Sequence, residues 1–101
     1  MAEEIYSRTL LISIISALLK KYRAERGILF GSYARNEADL LSDIDLVVIG
    51  GPAFDPTDVF CIADDLHRAT GKEVDVYEIR EIDQDSAFYH AILREGVSIA
   101  A

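Results

Sequence analysis

Residues 31–50 read GSYARNEADLLSDIDLVVIG, and the fold turns on this stretch. Its second half, Asp43 to Ile49 (DIDLVVI), is rich in β-branched residues and is stopped by Gly50, Gly51 and Pro52, which predicts a strand. Asp43 and Asp45 are two apart, so strand geometry puts both carboxylates on one face. Acidic residues are depleted from strands. Two of them opening an apolar strand read as a solvated face with Asp43 as a cap, or as ligands for a hard cation. Mg²⁺ suits the second reading, because it takes one or two carboxylates together with substrate phosphates. The first half opens with Gly31-Ser32, directly after a short apolar strand from Gly27 to Phe30. A turn and a short helix are expected around Ser32 to Ala38. Such a turn offers backbone N–H groups and a hydroxyl to phosphate oxygens, and Gly31 lets a phosphate approach the backbone closely. A Gly-Ser pair by itself is common and carries little.

Upstream, residues 3–24 are expected to be a helix. Leu11, Ile14, Ile15, Leu18 and Tyr22 follow the spacing of one buried face. Lys20, Lys21 and Arg23 suit the C-terminal end of a helix dipole, and Gly27 is the expected stop. Ile5, Ile12 and Leu19 form a second apolar line, which marks either a deeply buried helix or a partner surface. Downstream, Asp55 as N-cap, Pro56 at the first position and Asp58 in the first turn start a helix that runs to Thr70 and stops at Gly71. Val59, Ile62, Ala63 and Leu66 give its inner face. Glu73 to Ile79 (EVDVYEI) alternates with period two, as a half-buried strand does. Asp85 is the expected cap of a last helix from Ser86 to Glu95, ended by Gly96, with a short extended tail from Val97 to Ala100.

Asp75 interrupts the Glu73–Ile79 strand and shares its face with Glu73 and Tyr77. Taken alone it is as well explained by a solvated strand face. If its strand neighbours that of Asp43 and Asp45, it completes a carboxylate triad of the kind that holds attacking and leaving oxygens in line.

Strands alternating with helices indicate an α/β (α+β) fold: a small mixed β-sheet of about three or four strands layered with helices. The 101 residues are expected to form a single domain, 1–101. Half of them are hydrophobic, which excludes a disordered chain. With 18 acidic against 10 basic residues the net charge is −8, which ranks a nucleic-acid substrate low. Cys61 is the sole cysteine, so no internal disulfide forms, in keeping with a reducing compartment. The longest apolar run, Thr9 to Leu19, is shorter than the roughly 20 residues that span a bilayer. Glu3 and Glu4 stand where a signal peptide would be positive. A cytoplasmic protein is therefore expected.

Ten residues, Tyr33 to Ser42, separate Gly31-Ser32 from Asp43-Ile44-Asp45. This pattern resembles the signature of the DNA polymerase β-like nucleotidyltransferase superfamily: Gly-Ser, ten residues, Asp-x-Asp. It is most similar to the minimal nucleotidyltransferases, the MNT proteins encoded beside HEPN-domain proteins in prokaryotes. The signature covers about a fifth of the chain, and the order of elements with the later Val74-Asp75-Val76 extends the likeness to nearly all of it. The resemblance implies a nucleotidyltransferase fold and assigns roles. Gly31 and Ser32 would bind nucleotide phosphates. Asp43 and Asp45 would hold Mg²⁺. Asp75, at the third carboxylate, would join them and help activate the acceptor hydroxyl. Arg35 matches the Arg of the Gly-Ser-x-Ala-Arg pattern, as phosphate contact or loop stabiliser. Ser42 matches the Ser before the first Asp, as ligand or cap. The family commonly has Gly where this chain has Asn36; if that position needs φ > 0, Asn is the next best tolerated residue.

The resemblance also implies a function: Mg²⁺-dependent transfer of AMP from ATP to a tyrosine of a HEPN toxin, making the chain an antitoxin. Two other readings stand beside it. One is a non-catalytic antitoxin that neutralises its partner by contact, for which the Gly-Ser and three-Asp set would be superfluous. The other is a small-molecule adenylyltransferase similar to the aminoglycoside-modifying enzymes, which would need a dimer to build its cleft. Association with a partner or with itself is expected. His67 and His90 are isolated and read as surface or boundary residues. Cys61 reads as inert packing, and Tyr77, Phe88 and Tyr89 as core or interface. Lys72 reads as solvated, although it precedes the third strand at reach of a phosphate.

Overall fold

The computed structural model describes residues 6–101. Four strands, β1 (Arg26–Phe30), β2 (Ile44–Ile49), β3 (Val74–Glu78) and β4 (Val97–Ala100), form one sheet in the order β3-β2-β1-β4. β1 runs antiparallel to both β2 and β4, and β2 runs parallel to β3, so the sheet is mixed. Three helices, α1 (Arg8–Lys21), α2 (Asp58–Thr70) and α3 (Ala87–Glu95), cover it. This is the α+β architecture expected from the alternation of elements, with the tail at 97–100 recruited as a fourth strand.

Alternation along the strands sorts their side chains onto two faces. On the first, Leu29, Ile44, Leu46, Val48 and Ile99 meet Leu11, Ile15 and Leu19 of α1 and Ile62 and Leu66 of α2. On the second, Ile28 and Val47 meet Ile82 and Ile92, with Phe30, Ile49 and Tyr89 packed around them. α3 covers only part of that second face, which leaves its Asp45 and Asp75 end accessible.

Several helix boundaries differ from expectation, each for a local reason. α1 begins at Arg8, because Ser7 is extended (φ −69°, ψ 150°) and its side chain caps the Leu10 N–H at 3.1 Å. It ends at Lys21, because Arg23 takes a left-handed conformation (φ 63°); Gly27, the expected stop, instead lies inside β1. The second apolar line of α1 is not a free surface: Leu19 is fully buried and Ile12 packs against the core, while Ile5 lies outside the described residues. Asp55 does not cap α2. Its carboxylate accepts from the Thr57 N–H (3.0 Å) and hydroxyl (2.8 Å) in a turn, and Thr57 is the N-cap. Ser86, not Asp85, caps α3. Residues 32–36 form a single turn rather than a helix.

Side-chain bonds hold the layers together. The Tyr22 hydroxyl (2.6 Å) and the Lys21 amine (2.9 Å) both donate to Asp65, joining α1 to α2. Glu78 is buried to 2 % exposure at the end of β3, where its carboxylate accepts from the Gly50 N–H at 3.2 Å and from the Arg80 N–H at 2.8 Å. Burial pushes Glu78 upward, but the Arg80 backbone and guanidinium and the Gly50 N–H outweigh it and hold the carboxyl below its ordinary value. This bond ties the far ends of β2 and β3 together and so maintains their register. Among the described residues no helix is long and apolar enough to cross a membrane.

Candidate functional site

The β2–β3 pairing sets Asp45 directly opposite Asp75, and the β1–β2 pairing sets Phe30 opposite Asp45. Opposed residues of neighbouring strands point to the same side, with the backbones about 4.8 Å apart. Asp45 and Asp75 therefore stand side by side on the second face, and Asp43 precedes β2 by one residue. The electrostatics agree. Partial burial is the first cause that raises the Asp45 carboxyl above its ordinary value; the charges of Asp75 and then Asp43 add to it, and Arg35 opposes them. All three acids and Arg35 thus act on one place. The condition set on Asp75, that its strand neighbour the Asp43–Asp45 strand, is met.

Gly31 closes the site from the β1 side. It adopts φ 76°, and a Cβ built there would collide with the Asp45 carboxylate. A side chain at this position would thus be strained by conformation and by contact alike. The next residues form one helical turn. The Arg35 N–H donates to the Gly31 carbonyl (3.1 Å), the Asn36 N–H to that of Tyr33 (3.3 Å) and the Glu37 N–H to that of Ser32 (2.9 Å). The last two are the paired bonds of a Schellman motif, whose C′ residue must be left-handed. Asn36 occupies that place at φ 59°. The position does require positive φ, and Asn meets it. Arg8 reaches across from α1 to donate to the Ala34 carbonyl at 2.8 Å, holding the turn against the helix layer.

Arg35 is ion-paired with Glu37 at 2.8 Å and with Glu95 of α3 at 3.6 Å. Ser42 is engaged in its own loop: its hydroxyl accepts from the Asp39 N–H at 2.8 Å. This bond closes the turn that leads into Asp43. Lys72 departs from its expected solvation. It is 2 % exposed, and its amine donates to the Leu40 carbonyl at 2.9 Å, bracing the loop that leads into Asp43. His67 lies outside the site, its Nδ1 2.6 Å from the Lys72 carbonyl oxygen. Cys61 is exposed on α2, not packed.

Among the described residues no three His, Cys, Asp or Glu side chains close around a point as a complete metal site does. An open set of carboxylates is what Mg²⁺ uses when phosphate oxygens supply the rest of its shell. Asp45 opposite Asp75, with Asp43 one residue before β2, offers oxygen donors of the kind this ion takes.

Sequence reasoning missed Arg8 and Glu78, which hold the turn and the register, and misjudged Lys72, which braces the loop. Buried or bridging charges of this kind leave no local pattern; only an acid ending an apolar strand, as Glu78 does, was a usable signal.

Known proteins resemble this chain in sequence and in fold. The family model described as polymerase beta, nucleotidyltransferase, matches residues 13–101. A protein of Methanocaldococcus jannaschii, provisionally named a protein adenylyltransferase, is 40% identical over 83 residues, covering 82% of each chain. A solved structure provisionally assigned as a minimal nucleotidyltransferase superposes with a TM-score of 0.76 at 27% identity, covering 93% of this chain and 96% of that one. A chain from the crystal structure of a toxin–antitoxin with AMP-PNP gives 0.73 at 24%, covering 86% and 70%. One from the complex of tri-AMPylated Shewanella oneidensis HEPN toxin with MNT antitoxin gives 0.68 at 22%, covering 90% and 70%. The likeness to these last two is one of fold.

Proposed function

The chain belongs to the polymerase β nucleotidyltransferase family, and from that premise we propose that it transfers AMP from magnesium-bound ATP to a hydroxyl of a partner protein, a tyrosine of a HEPN toxin. The observation that carries the reading is the register that sets Asp45 beside Asp75, against the Gly31 turn. The protein adenylyltransferase name of the archaeal relative supports the reaction, and the AMPylated toxin bound to an MNT antitoxin supports the acceptor and the partner.

On this reading Asp43, Asp45 and Asp75 hold Mg²⁺, which supplies charge neutralisation at the phosphates. Gly31 and Ser32 offer the turn's N–H groups and hydroxyl to the triphosphate, and Arg35 exchanges its exposed carboxylate partners for phosphate. Asp75 orients the acceptor hydroxyl and takes its proton. Ser42 keeps Asp43 in place through its turn with Asp39. The protein's contribution is then mostly positioning. Residues 1–101 act as one catalytic domain, working where ATP is available, in the cytoplasm. At a net charge of −8 the partner is a protein rather than a nucleic acid.

Incubation with α-labelled ATP and magnesium, with and without the product of the neighbouring gene, tests the proposal. Label is expected on the neighbour, and Asp43→Asn with Asp45→Asn is expected to abolish it while leaving the fold intact. Inhibition of the neighbour without label supports a contact-only antitoxin. Label only on added aminoglycosides supports the small-molecule enzyme.

A further inference from the structure

Three aromatic rings stand beside the carboxylates, and the transfer chemistry does not account for them. Phe30 is the cross-strand partner of Asp45, and Tyr77 lies two residues beyond Asp75 on the same face. Phe88 of α3 packs edge-on against both, at centroid separations of 5.4 Å from Phe30 and 5.6 Å from Tyr77; Phe30 and Tyr77 are 6.3 Å apart. Phe30 packs against the cluster that holds the fully buried Val47, and Tyr77 is the cross-strand partner of Val47, yet Tyr77 is 36% and Phe88 40% exposed. Two large ring surfaces are therefore left open next to an acidic site.

The order of the strands says what they face. Across the second face the row runs from Gly31 at the end of β1, through Asp45 on β2, to Asp75 on β3. Phosphoryl transfer places the attacking and leaving oxygens in line on opposite sides of phosphorus. With the leaving pyrophosphate at the Gly31-Ser32 turn, the acceptor enters from the opposite side, over β3. Among the described residues β3 is an edge strand, so that approach is open. The side chain next along that strand on the same face as Asp75 is Tyr77, about 7 Å away, with Phe88 beside it. A sugar placed there would bury hydroxyls against rings that cannot pair with them. A flat apolar group would instead meet ring faces and edges.

We infer that Tyr77 and Phe88 seat the acceptor, selecting a hydroxyl carried on a flat apolar ring over one carried on a sugar. This rests on the nucleotidyltransfer reading above. In the step, the acceptor oxygen bonds to the α-phosphorus of a nucleoside triphosphate as the bond to pyrophosphate breaks. The hydroxyl proton passes to Asp75, and pyrophosphate leaves with the bonding electrons. Phe30 backs the two rings and keeps them in place; the Tyr77 hydroxyl has no part in the selection.

The test titrates p-cresol into the full chain with magnesium and a non-hydrolysable ATP analogue, followed by amide NMR. Saturable shifts centred on residues 75–77 and 87–89 are expected, with none from methyl glucoside. Tyr77→Ser and Phe88→Ser should each weaken p-cresol binding about tenfold and leave affinity for the magnesium-bound analogue within about twofold. Tyr77→Phe should bind p-cresol as the wild type does. Shifts produced by adenosine in place of p-cresol, or serine variants that lose analogue and cresol affinity together, would make the trio a base platform and overturn the inference. Unchanged cresol affinity in both serine variants would also overturn it. A wild-type chain that binds no analogue with magnesium overturns the underlying reading as well, and that failure shows in the analogue titration itself.

Discussion

The Asp45 carboxyl is held above its ordinary value by burial first, then by Asp75 and Asp43, and this has a consequence for stability with a definite sign. A carboxyl that keeps its proton to higher pH in the folded state than in the unfolded one makes the native chain the richer in protons across that interval. Stability then falls as pH rises from the ordinary value near 3.9 through the raised one. At neutral pH the ionised Asp45 is a destabilising group in the free protein. Asp45→Asn is expected to raise Tm at pH 7, on the order of a few degrees, with the gain shrinking as pH approaches 4. The same substitution should end magnesium-dependent transfer. Thermal unfolding of both proteins from pH 4 to 8 measures the effect, and a Tm difference independent of pH would show that the neighbouring charges do not act on Asp45.

Two turns share one device. α1 ends with the Arg23 N–H donating to the Lys20 carbonyl (3.2 Å) and the Ala24 N–H to that of Leu19 (2.9 Å). These are the same paired bonds that Asn36 and Glu37 make in the site turn. In both motifs a non-glycine residue occupies the left-handed C′ place, Arg23 at φ 63° and Asn36 at φ 59°. That conformation costs an ordinary L-residue about 1–2 kcal/mol, less for Asn, and the added chain entropy of Gly returns part of it. Arg23→Gly is expected to stabilise the protein by about 0.5–1 kcal/mol, or roughly 2–8 °C in Tm, and Asn36→Gly by less. A lower Tm for Arg23→Gly in a thermal melt would contradict this account of the helix end. The misplaced stop of α1 has the same origin. Glycine is the usual C′ residue, so Gly27 drew the boundary, while Arg23 carries no signal that it will take the left-handed place. The strands were legible where pattern is local: β2 and β3 declare themselves by apolar runs and alternation. β4 was visible only as an extended tail, because its partner β1 lies far from it in sequence, with Arg26 opposite Ala100 and Leu29 opposite Val97. The site was legible in the same degree. Gly31, Ser32, Asp43 and Asp45 lie in one continuous stretch, whereas the place of Asp75 depends on the β2–β3 register. Lys72 was misread because its amine donates to the carbonyl of Leu40, a residue of another loop that local pattern does not bring near it.

At the scale of the whole molecule, a chain of 101 residues has little stability in reserve, and this one places three carboxylates together at a net charge of −8. Such a site is poorly disposed to bind a bare triphosphate, which would add negative charge to it. A magnesium ion alone meets too few fixed oxygens to fill its shell. The two together cancel much of the charge and complete the coordination, so they should bind as a pair. A ligand that binds only the folded chain stabilises it by about 2.7 kcal/mol at a concentration one hundred times its Kd, which for a domain of this size corresponds to roughly 10–20 °C. Magnesium with a non-hydrolysable ATP analogue, near saturation, is therefore expected to raise Tm by that order. The analogue in chelator should leave Tm almost unchanged, and magnesium alone should raise it only slightly, by relieving the repulsion at Asp45. In Asp43→Asn with Asp45→Asn the large shift should vanish, although the unliganded protein melts no lower. An equal shift from the analogue in chelator and in magnesium would place nucleotide binding somewhere other than these carboxylates.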